Sequence, residues 1–283
     1  MKFILYFFQA IFFYFFVVVI KILGLNISRK LFSFIFIKIG PLFKSRKIIF
    51  SNLDIAFKNL DIGEKSKIEK EMWSNYGLTF VEYFFLNKLR SQNLHIQVKG
   101  TNILDQIKKE KKPVIFISGH FSNFELMSME LTKYGINLVT IYRPLNNFFI
   151  NPLMEKLRKK YICKNQIKKG VAGVKAAIKF LDNDTSLALM IDQRLSEGEK
   201  IPFFGRDAST TTLPAQLSIK KNLNIVPVYL ERKGLNFFNM EILKPIKMTN
   251  ENKHSITKRL NNIIEEFIIR RPGQWIWTHN RWK

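Results

Sequence analysis

The sequence predicts an α/β fold, with strands alternating with helices around one sheet, and three observations carry that reading. Apolar runs of strand length recur at 112–118, 137–142, 186–191 and 224–231, separated by stretches of helical periodicity. With 283 residues and 47% hydrophobic composition, the chain is large enough to bury a full core. No internal repeat, glycine-rich phosphate loop or low-complexity linker divides it, so one α/β domain over 44–283 is expected behind an apolar anchor over 1–43.

The amino end predicts association with a membrane. Residues 3–20 carry no charge, and only Gln9 and two tyrosines interrupt their apolar character. A helix of that span is about 27 Å long, just enough to cross a bilayer. A cleaved signal peptide is the competing idea, but Ile22-Leu23-Gly24-Leu25 lacks a small-x-small site and a second apolar segment follows at 31–43. Lys21, Arg29, Lys30, Lys38, Lys44, Arg46 and Lys47 stand beyond the span, against Lys2 alone before it. That bias places the body of the protein on the cytoplasmic side. An interfacial hairpin is the alternative to a single span, and either puts the domain at a membrane surface.

Polar-periodic segments at 44–59 and 63–90 read as helices leading into the sheet. Helices are then expected at 123–133, 152–160, 172–181 and 213–221, between the strands. Residues 237–243 add another strand. Ile256, Leu260, Ile263, Ile264, Phe267 and Ile268 recur at helical spacing and give an amphipathic helix ending before Arg271-Pro272-Gly273.

The richest stretch chemically is Gly119-His120-Phe121-Ser122-Asn123-Phe124-Glu125, straight after the run Pro113-Val114-Ile115-Phe116-Ile117-Ser118. His120 therefore stands at the carboxyl end of a strand, the edge where open α/β sheets bind ligands. An imidazole can take a proton from a hydroxyl near neutral pH, and a carboxylate on its other nitrogen fixes the tautomer. His120 with Glu125 reads as such a base and its orienting carboxylate. Ser122 and Glu125 equally fit a capping box at a helix start, and the spacing alone does not choose.

The segments Asn52-Leu53-Asp54-Ile55-Ala56-Phe57, Gly77 with Glu82, the His120–Glu125 stretch, Tyr142-Arg143-Pro144, Asp192-Gln193 and Pro202-Phe203-Phe204-Gly205 occur in one order. Together with the ending Gln274-Trp275-Ile276-Trp277-Thr278-His279-Asn280-Arg281-Trp282-Lys283, this resembles the lipid A biosynthesis late acyltransferases, the bacterial lauroyl and myristoyl transferases, over roughly residues 45 to 283. The resemblance implies a glycerolphosphate-acyltransferase-like mixed sheet flanked by helices, with an N-terminal hydrophobic anchor helix. It implies that His120 and Glu125 are the catalytic motif, and that a fatty acyl chain passes from an acyl-carrier-protein thioester to a hydroxyl of a lipid A precursor. It implies a site on the cytoplasmic face of the inner (plasma) membrane. Ser122 and Phe124 stand where family members commonly carry Gly and Trp, which bears on donor chain length more than on the dyad.

Other residues acquire roles in that setting. Arg143 follows a strand at the same edge, and its planar fork suits a phosphate or other anion, as it also suits a surface ion pair. Asp192, Gln193 and Arg194 end the third strand there, where Asp192 orients an arginine or the acceptor, or caps the next turn. Phe203 and Gly205 lie in an expected loop whose aromatics line an acyl groove or pack a core.

The net charge of +24, from 46 Lys plus Arg against 22 Asp plus Glu, calls for acidic partners or a solvated Lys-rich surface. The lysines scatter over short clusters, without a zinc finger, RNA-recognition signature or basic heptad helix, so no nucleic-acid partner is expected. An acidic carrier protein and anionic lipid fit better. His95, His120, His254 and His279 have no metal-ligand spacing, so neither a metal nor a cofactor is expected. The lone Cys163 permits no internal disulfide and reads as an incidental thiol. Two other readings stay open: a lysophospholipid or phosphatidyl-sugar acceptor for the same dyad, and a non-catalytic, membrane-tethered basic protein that binds nucleic acid or lipid.

Overall fold

The computed structural model describes residues 2–92, 95–247 and 251–283. The first helix, α1 (Lys2–Phe43), is interrupted at Gly24, whose φ of 73° and ψ of 172° lie outside helical space and suit a residue without Cβ. The rings of Phe16 and Phe32 lie 5.7 Å apart, whereas sixteen residues of straight helix span about 24 Å. The two arms therefore fold back on each other, as the hairpin alternative requires. By length and composition α1 is a candidate membrane span.

Both arms pack on α3 (Ile62–Tyr83), with Phe13, Phe32 and Phe36 meeting the Phe80 ring at centroid separations of 5.7 to 6.0 Å. Gly77 permits the approach, because a Cβ there would run into the Phe32 carbonyl. The polar stretch between the apolar segments is helical and partly consumed by packing. Lys21 Nζ donates to the Phe84 carbonyl, and buried Arg29 pairs with Glu82 at 2.8 Å. These two cations are packing residues rather than flanking charges.

After α2 (Arg46–Ala56) and α3, the expected helix over 63–90 proves to be two, the second being α4 (Leu86–Ser91) beyond a break at Phe84 and Phe85. Then follow β1 (Ile96–Lys99), α5 (Thr101–Glu110), β2 (Ile115–Ser118), α6 (Glu125–Lys133), β3 (Leu138–Tyr142), α7 (Asn151–Tyr161), β4 (Asn165–Lys168), α8 (Val171–Asp182) and β5 (Ser186–Met190). The hairpin β6 (Glu199–Phe203) and β7 (Arg206–Thr210), α9 (Leu213–Lys221), β8 (Ile225–Lys233), β9 (Phe237–Ile242) and α10 (Lys253–Arg270) complete the order, with a short 3-10 turn at Pro272–Gln274.

The seven-stranded sheet runs β1-β9-β8-β2-β5-β3-β4, parallel except where β8 meets β9. It is mixed and flanked by helices, as expected. Its centre is apolar on both faces. Ile115 and Ile117 of β2 join the core formed with α10 and Trp275, while Phe116 between them points into the core under α6 and α1. Because β2, β3, β4 and β5 are parallel, their carboxyl ends share one edge. The loops that follow them carry His120, Arg143, Lys169 and Asp192.

Four strands were not expected, β1, β4, β6 and β7. β1 and β4 are the two edges of the sheet, and edge strands need little apolar sequence because one side stays open; Ile96-Gln97-Val98-Lys99 is accordingly half polar and Asn165-Gln166-Ile167-Lys168 three-quarters polar. The loop expected at 202–206 is instead a hairpin turn, with Phe204 (φ 52°) and Gly205 (φ 71°) as its two central residues.

Candidate active site

His120 sits one residue beyond Gly119, at the carboxyl end of β2, and its partner is the carboxylate of Asp192 at the end of β5. The backbone N–H of His120 donates to Asp192 Oδ2 at 2.9 Å, and its ring Nδ1 lies 2.8 Å from Oδ1. The indole N–H of Trp275 also donates to Oδ2, at 2.8 Å. A Cβ on Gly119 would press on the Asp192 carboxyl carbon and the Phe121 ring, so glycine admits the closeness of these two strand ends. Burial of Asp192 opposes its ionisation, but the His120 charge and the bonds from His120 and Trp275 outweigh it and hold the carboxyl at about 2. An ionised Asp192 only accepts, so Nδ1 carries a proton, and in the neutral ring Nε2 keeps its lone pair. The Asp192 side chain is 0% exposed and that of His120 is 20% exposed. The pair thus opens through the imidazole alone.

Glu125 is held elsewhere. Its Oε1 accepts from Arg158 Nε at 2.8 Å and pairs with Arg158 Nη2 at 2.7 Å, and it also accepts from the Tyr83 hydroxyl. Burial pushes the Glu125 carboxyl up, against the pull of Arg158. The carboxylate expected on the His120 ring is therefore Asp192, not Glu125. The reason is local: Ser122 adopts φ 52°, α6 begins only at Glu125, and the residue brought to His120 is Phe124, ring to ring at 4.6 Å. The capping box does not form either. Phe124 occupies the N-cap without a side-chain bond, and the buried Ser122 hydroxyl has no partner among the described residues. A capping box does form at Asp61 and Glu64.

The loop from Ser122 to Glu125 is pinned from behind. Ser122 N–H donates to the Gln274 carbonyl at 2.9 Å, and Asn123 Nδ2 donates to Glu82 Oε2 at 2.9 Å. Glu82 also accepts from Arg232 at 2.5 and 2.9 Å, and pairs with Arg29 of α1. Glu82, read in the sequence only as part of a motif, is thus the joint between the amino-terminal hairpin, β8 and the loop carrying His120.

His120, Phe124 and Glu125 line a cleft of about 710 Å³. One part of its wall is apolar, with Ile141, Val171, Val174 and Leu189; another is cationic, with Arg143, Lys169 and Arg194. Arg194 Nε is buried there without a hydrogen-bond partner among the described residues. Gln193 lies beside the base, its Nε2 3.4 Å from His120 Nε2. Phe203 and Gly205 are not part of the cleft. Phe203 is fully buried against Trp282 and Trp275, under the Arg281 guanidinium, and so packs a core rather than a groove.

No role in the site was expected for Arg158, Tyr83 or Lys169, and Trp275 and His279 stood out only as part of the Trp-rich ending. Lys169 follows β4, and recognising that polar edge strand would have placed it; the others reach the site through tertiary packing. Among the described residues no group of three or more His, Cys, Asp or Glu side chains could hold a metal ion. Cys163 is buried, which pushes its thiol up to about 11.

An α/β protein with a histidine–aspartate pair opening on an amphipathic cleft at the carboxyl edge of a mixed sheet is the class so defined. The family profile described as bacterial lipid A biosynthesis acyltransferase matches residues 3–283, and the chain belongs to that family. It is 23% identical over 251 residues to the lipid A biosynthesis palmitoleoyltransferase of Escherichia coli (strain K12), covering 86% of this chain and 80% of that protein. It is 23% identical over 243 residues to a lipid A biosynthesis acyltransferase of Haemophilus influenzae, covering 82% and 75%. Among solved structures, the 1-acyl-sn-glycerophosphate acyltransferase of Thermotoga maritima matches with a TM-score of 0.41 and 15% identity, covering 87% of this chain and 96% of that one.

Proposed function

We propose that the protein transfers a fatty acyl chain from an acyl-carrier-protein thioester to a hydroxyl of a lipid A precursor, working at the cytoplasmic face of the inner membrane. The observation that carries this reading is the His120–Asp192 pair, whose imidazole lines a cleft both apolar and cationic. In the reaction, His120 Nε2 takes the acceptor hydroxyl proton as that oxygen attacks the thioester carbonyl. The tetrahedral intermediate collapses with loss of the carrier thiolate, which takes the proton back from the imidazolium, leaving an ester and a free thiol. Asp192 stabilises the imidazolium and fixes the tautomer, with no covalent acyl-enzyme.

The cationic wall suits a phosphorylated glycolipid. Arg143 is exposed on the cleft, and Arg194 offers an unpartnered buried N–H. The apolar wall suits the acyl chain. Glu125 serves by fixing Arg158, and Gln193 by its place beside the base.

Membrane association follows from continuity of apolar surface. Phe3, Phe8, Phe12 and Phe15 on the first arm of α1 are each more than half exposed. The same arm docks on the loop after Arg143, where Phe3 meets Phe148 and Phe149 at 5.8 and 5.4 Å. Val171, 77% exposed, stands at the cleft itself. A bilayer covering the first arm would also meet the rim of the cleft.

The test is a transfer assay in detergent. An acyl-carrier thioester with an underacylated lipid A precursor should give a product heavier by one ester-linked acyl chain, and a lysophospholipid should substitute poorly. Acylation of lysophospholipid alone would move the acceptor assignment. No transfer to any acceptor, together with salt-sensitive nucleic-acid binding, would overturn the enzymatic reading.

A further inference from the structure

The backbone amides of the three residues from the catalytic base onward are already taken. Backbone amides beside a base or nucleophile commonly stabilise the oxyanion of acyl transfer. Here the N–H of His120 donates to Asp192, that of Phe121 to the Gly119 carbonyl at 2.8 Å and that of Ser122 to the Gln274 carbonyl. Arg158 Nε and Nη2 are held by Glu125 and the Tyr83 hydroxyl. A side chain on another element is then a place for a donor to the negative charge that develops on the thioester carbonyl.

We propose that His279 is that donor, a neutral imidazole whose Nδ1–H meets the thioester carbonyl oxygen as it becomes an oxyanion. This rests on the acyl-transfer reading above. His279 lines the same cleft as His120, and two consecutive residues join the two imidazoles. Gln193 reaches His120 Nε2 with its side chain, and the Arg194 backbone N–H donates to His279 Nε2 at 2.8 Å. A backbone amide can only donate, so His279 Nε2 must present a lone pair and the ring proton must sit on Nδ1. Nδ1 has no hydrogen-bond partner among the described residues, and it is not one of the sealed polar atoms. Burial of the ring disfavours its cation; Asp192 pulls the other way, but Arg281, His120 and Arg194 side with burial, and the imidazole is held below its ordinary value.

The ring is also held in place before any substrate arrives. Asn52 Nδ2 donates to the carbonyls of Trp277 and His279 at 2.8 and 2.9 Å. The Tyr76 and Thr278 hydroxyls lie 2.9 Å apart, and buried Arg281 donates to the Ser209 carbonyl and the Thr210 hydroxyl. A donor fixed in this way costs little reorganisation when charge develops, which is the condition for a large electrostatic effect. The Asn52 segment and the Trp-rich carboxyl end, far apart in sequence, are brought together to hold it.

Two conservative variants separate a donor from a prop. His279→Gln keeps an oxygen able to accept the Arg194 N–H but loses the imidazole Nδ1–H, whereas His279→Asn places an amide N–H near Nδ1 and loses the acceptor. His279→Gln should lower kcat about 10²- to 10³-fold with thioester KM little changed, and His279→Asn should be the more active of the two. Parental kcat in His279→Gln, or the reverse order, overturns the proposal. Nitrogen-15 spectra of histidine-labelled parental protein at neutral pH should show a neutral Nδ1–H ring for His279; an Nε2–H ring or an imidazolium there overturns it whatever the variants do. With transfer by the parent and none by His120→Ala, parental turnover in His279→Gln sinks the His279 proposal alone. Absence of transfer by the parent sinks the functional reading with it.

Discussion

Glu82 and Asp192 are both buried carboxylates facing cations, one beneath the amino-terminal hairpin and one beneath the cleft, and they do different work. Every group that Glu82 touches, Arg29, Arg232 and Asn123, is itself buried, so its charge is neutralised in a closed joint. Asp192 is as deeply buried, but His120 carries its influence out into the cleft. A buried ion pair is therefore no mark of an active site by itself. What marks the second pair is a partner whose ring lines a space that a substrate can enter.

The comparison breaks most visibly at Glu82. Glu82→Ala would strand Arg29 and Arg232 as unpaired buried charges at a cost of about 3–5 kcal/mol, read as a large fall in unfolding midpoint. An unchanged midpoint would mean that the joint is not structural. Arg232 and its neighbours hold the Glu82 carboxyl below its ordinary value against the effect of burial. Its contribution is therefore fully present above the unfolded carboxylate pKa and lost as pH falls through the folded one, so stability should drop on the acid side. For the same reason removal of residues 1–43 should release the protein from membranes and also destabilise it, since it takes away Arg29 and uncovers Phe80 and Phe84. A truncated protein as heat-stable as the parent would contradict that coupling.

A smaller effect is expected at Glu125. Glu125→Gln weakens a charged hydrogen bond to Arg158 of about 1.5–3 kcal/mol, and should lower stability and turnover together while leaving the His120 pair in place. Loss of all turnover with unchanged stability would return Glu125 to the role of orienting carboxylate. Smallest is Trp275→Phe, which keeps a ring in the core and deletes one donor to Asp192. It should cost roughly 1 kcal/mol, seen as a several-fold fall in kcat with KM unmoved; a change in KM alone would place Trp275 in substrate binding instead.

Much of this organisation was legible in the sequence. The apolar runs placed the central strands because β2 and its neighbours are buried on both faces, and His120, Arg143 and Asp192 were found because each directly follows such a run. The edge strands β1 and β4 were not, since a strand with one open side carries polar residues and leaves little periodic signal. The pairing of His120 was misread because Glu125 is near it in sequence, whereas Asp192, 72 residues on, is near it only once β2 and β5 pair. Phe203 could be read as lining a groove or packing a core, because an aromatic looks the same in either until the Trp275 and Trp282 rings are seen against it. No local pattern announced Arg158, and the Trp-rich ending that holds His279 carried no sign that it reaches the cleft; they arrive from α7 and from the carboxyl tail.

The most direct test is the turnover of Asp192→Asn beside that of Glu125→Gln, measured with a saturating acyl-carrier thioester and lipid A precursor. An asparagine can offer its N–H to the His120 ring and so favour the tautomer with the proton on Nε2, which cannot act as a base. Asp192→Asn should therefore lose on the order of 10³- to 10⁴-fold in kcat, with Glu125→Gln well above it. Near-parental turnover in Asp192→Asn, with Glu125→Gln inactive but fully folded, would contradict the assignment of Asp192 as the partner of the catalytic base.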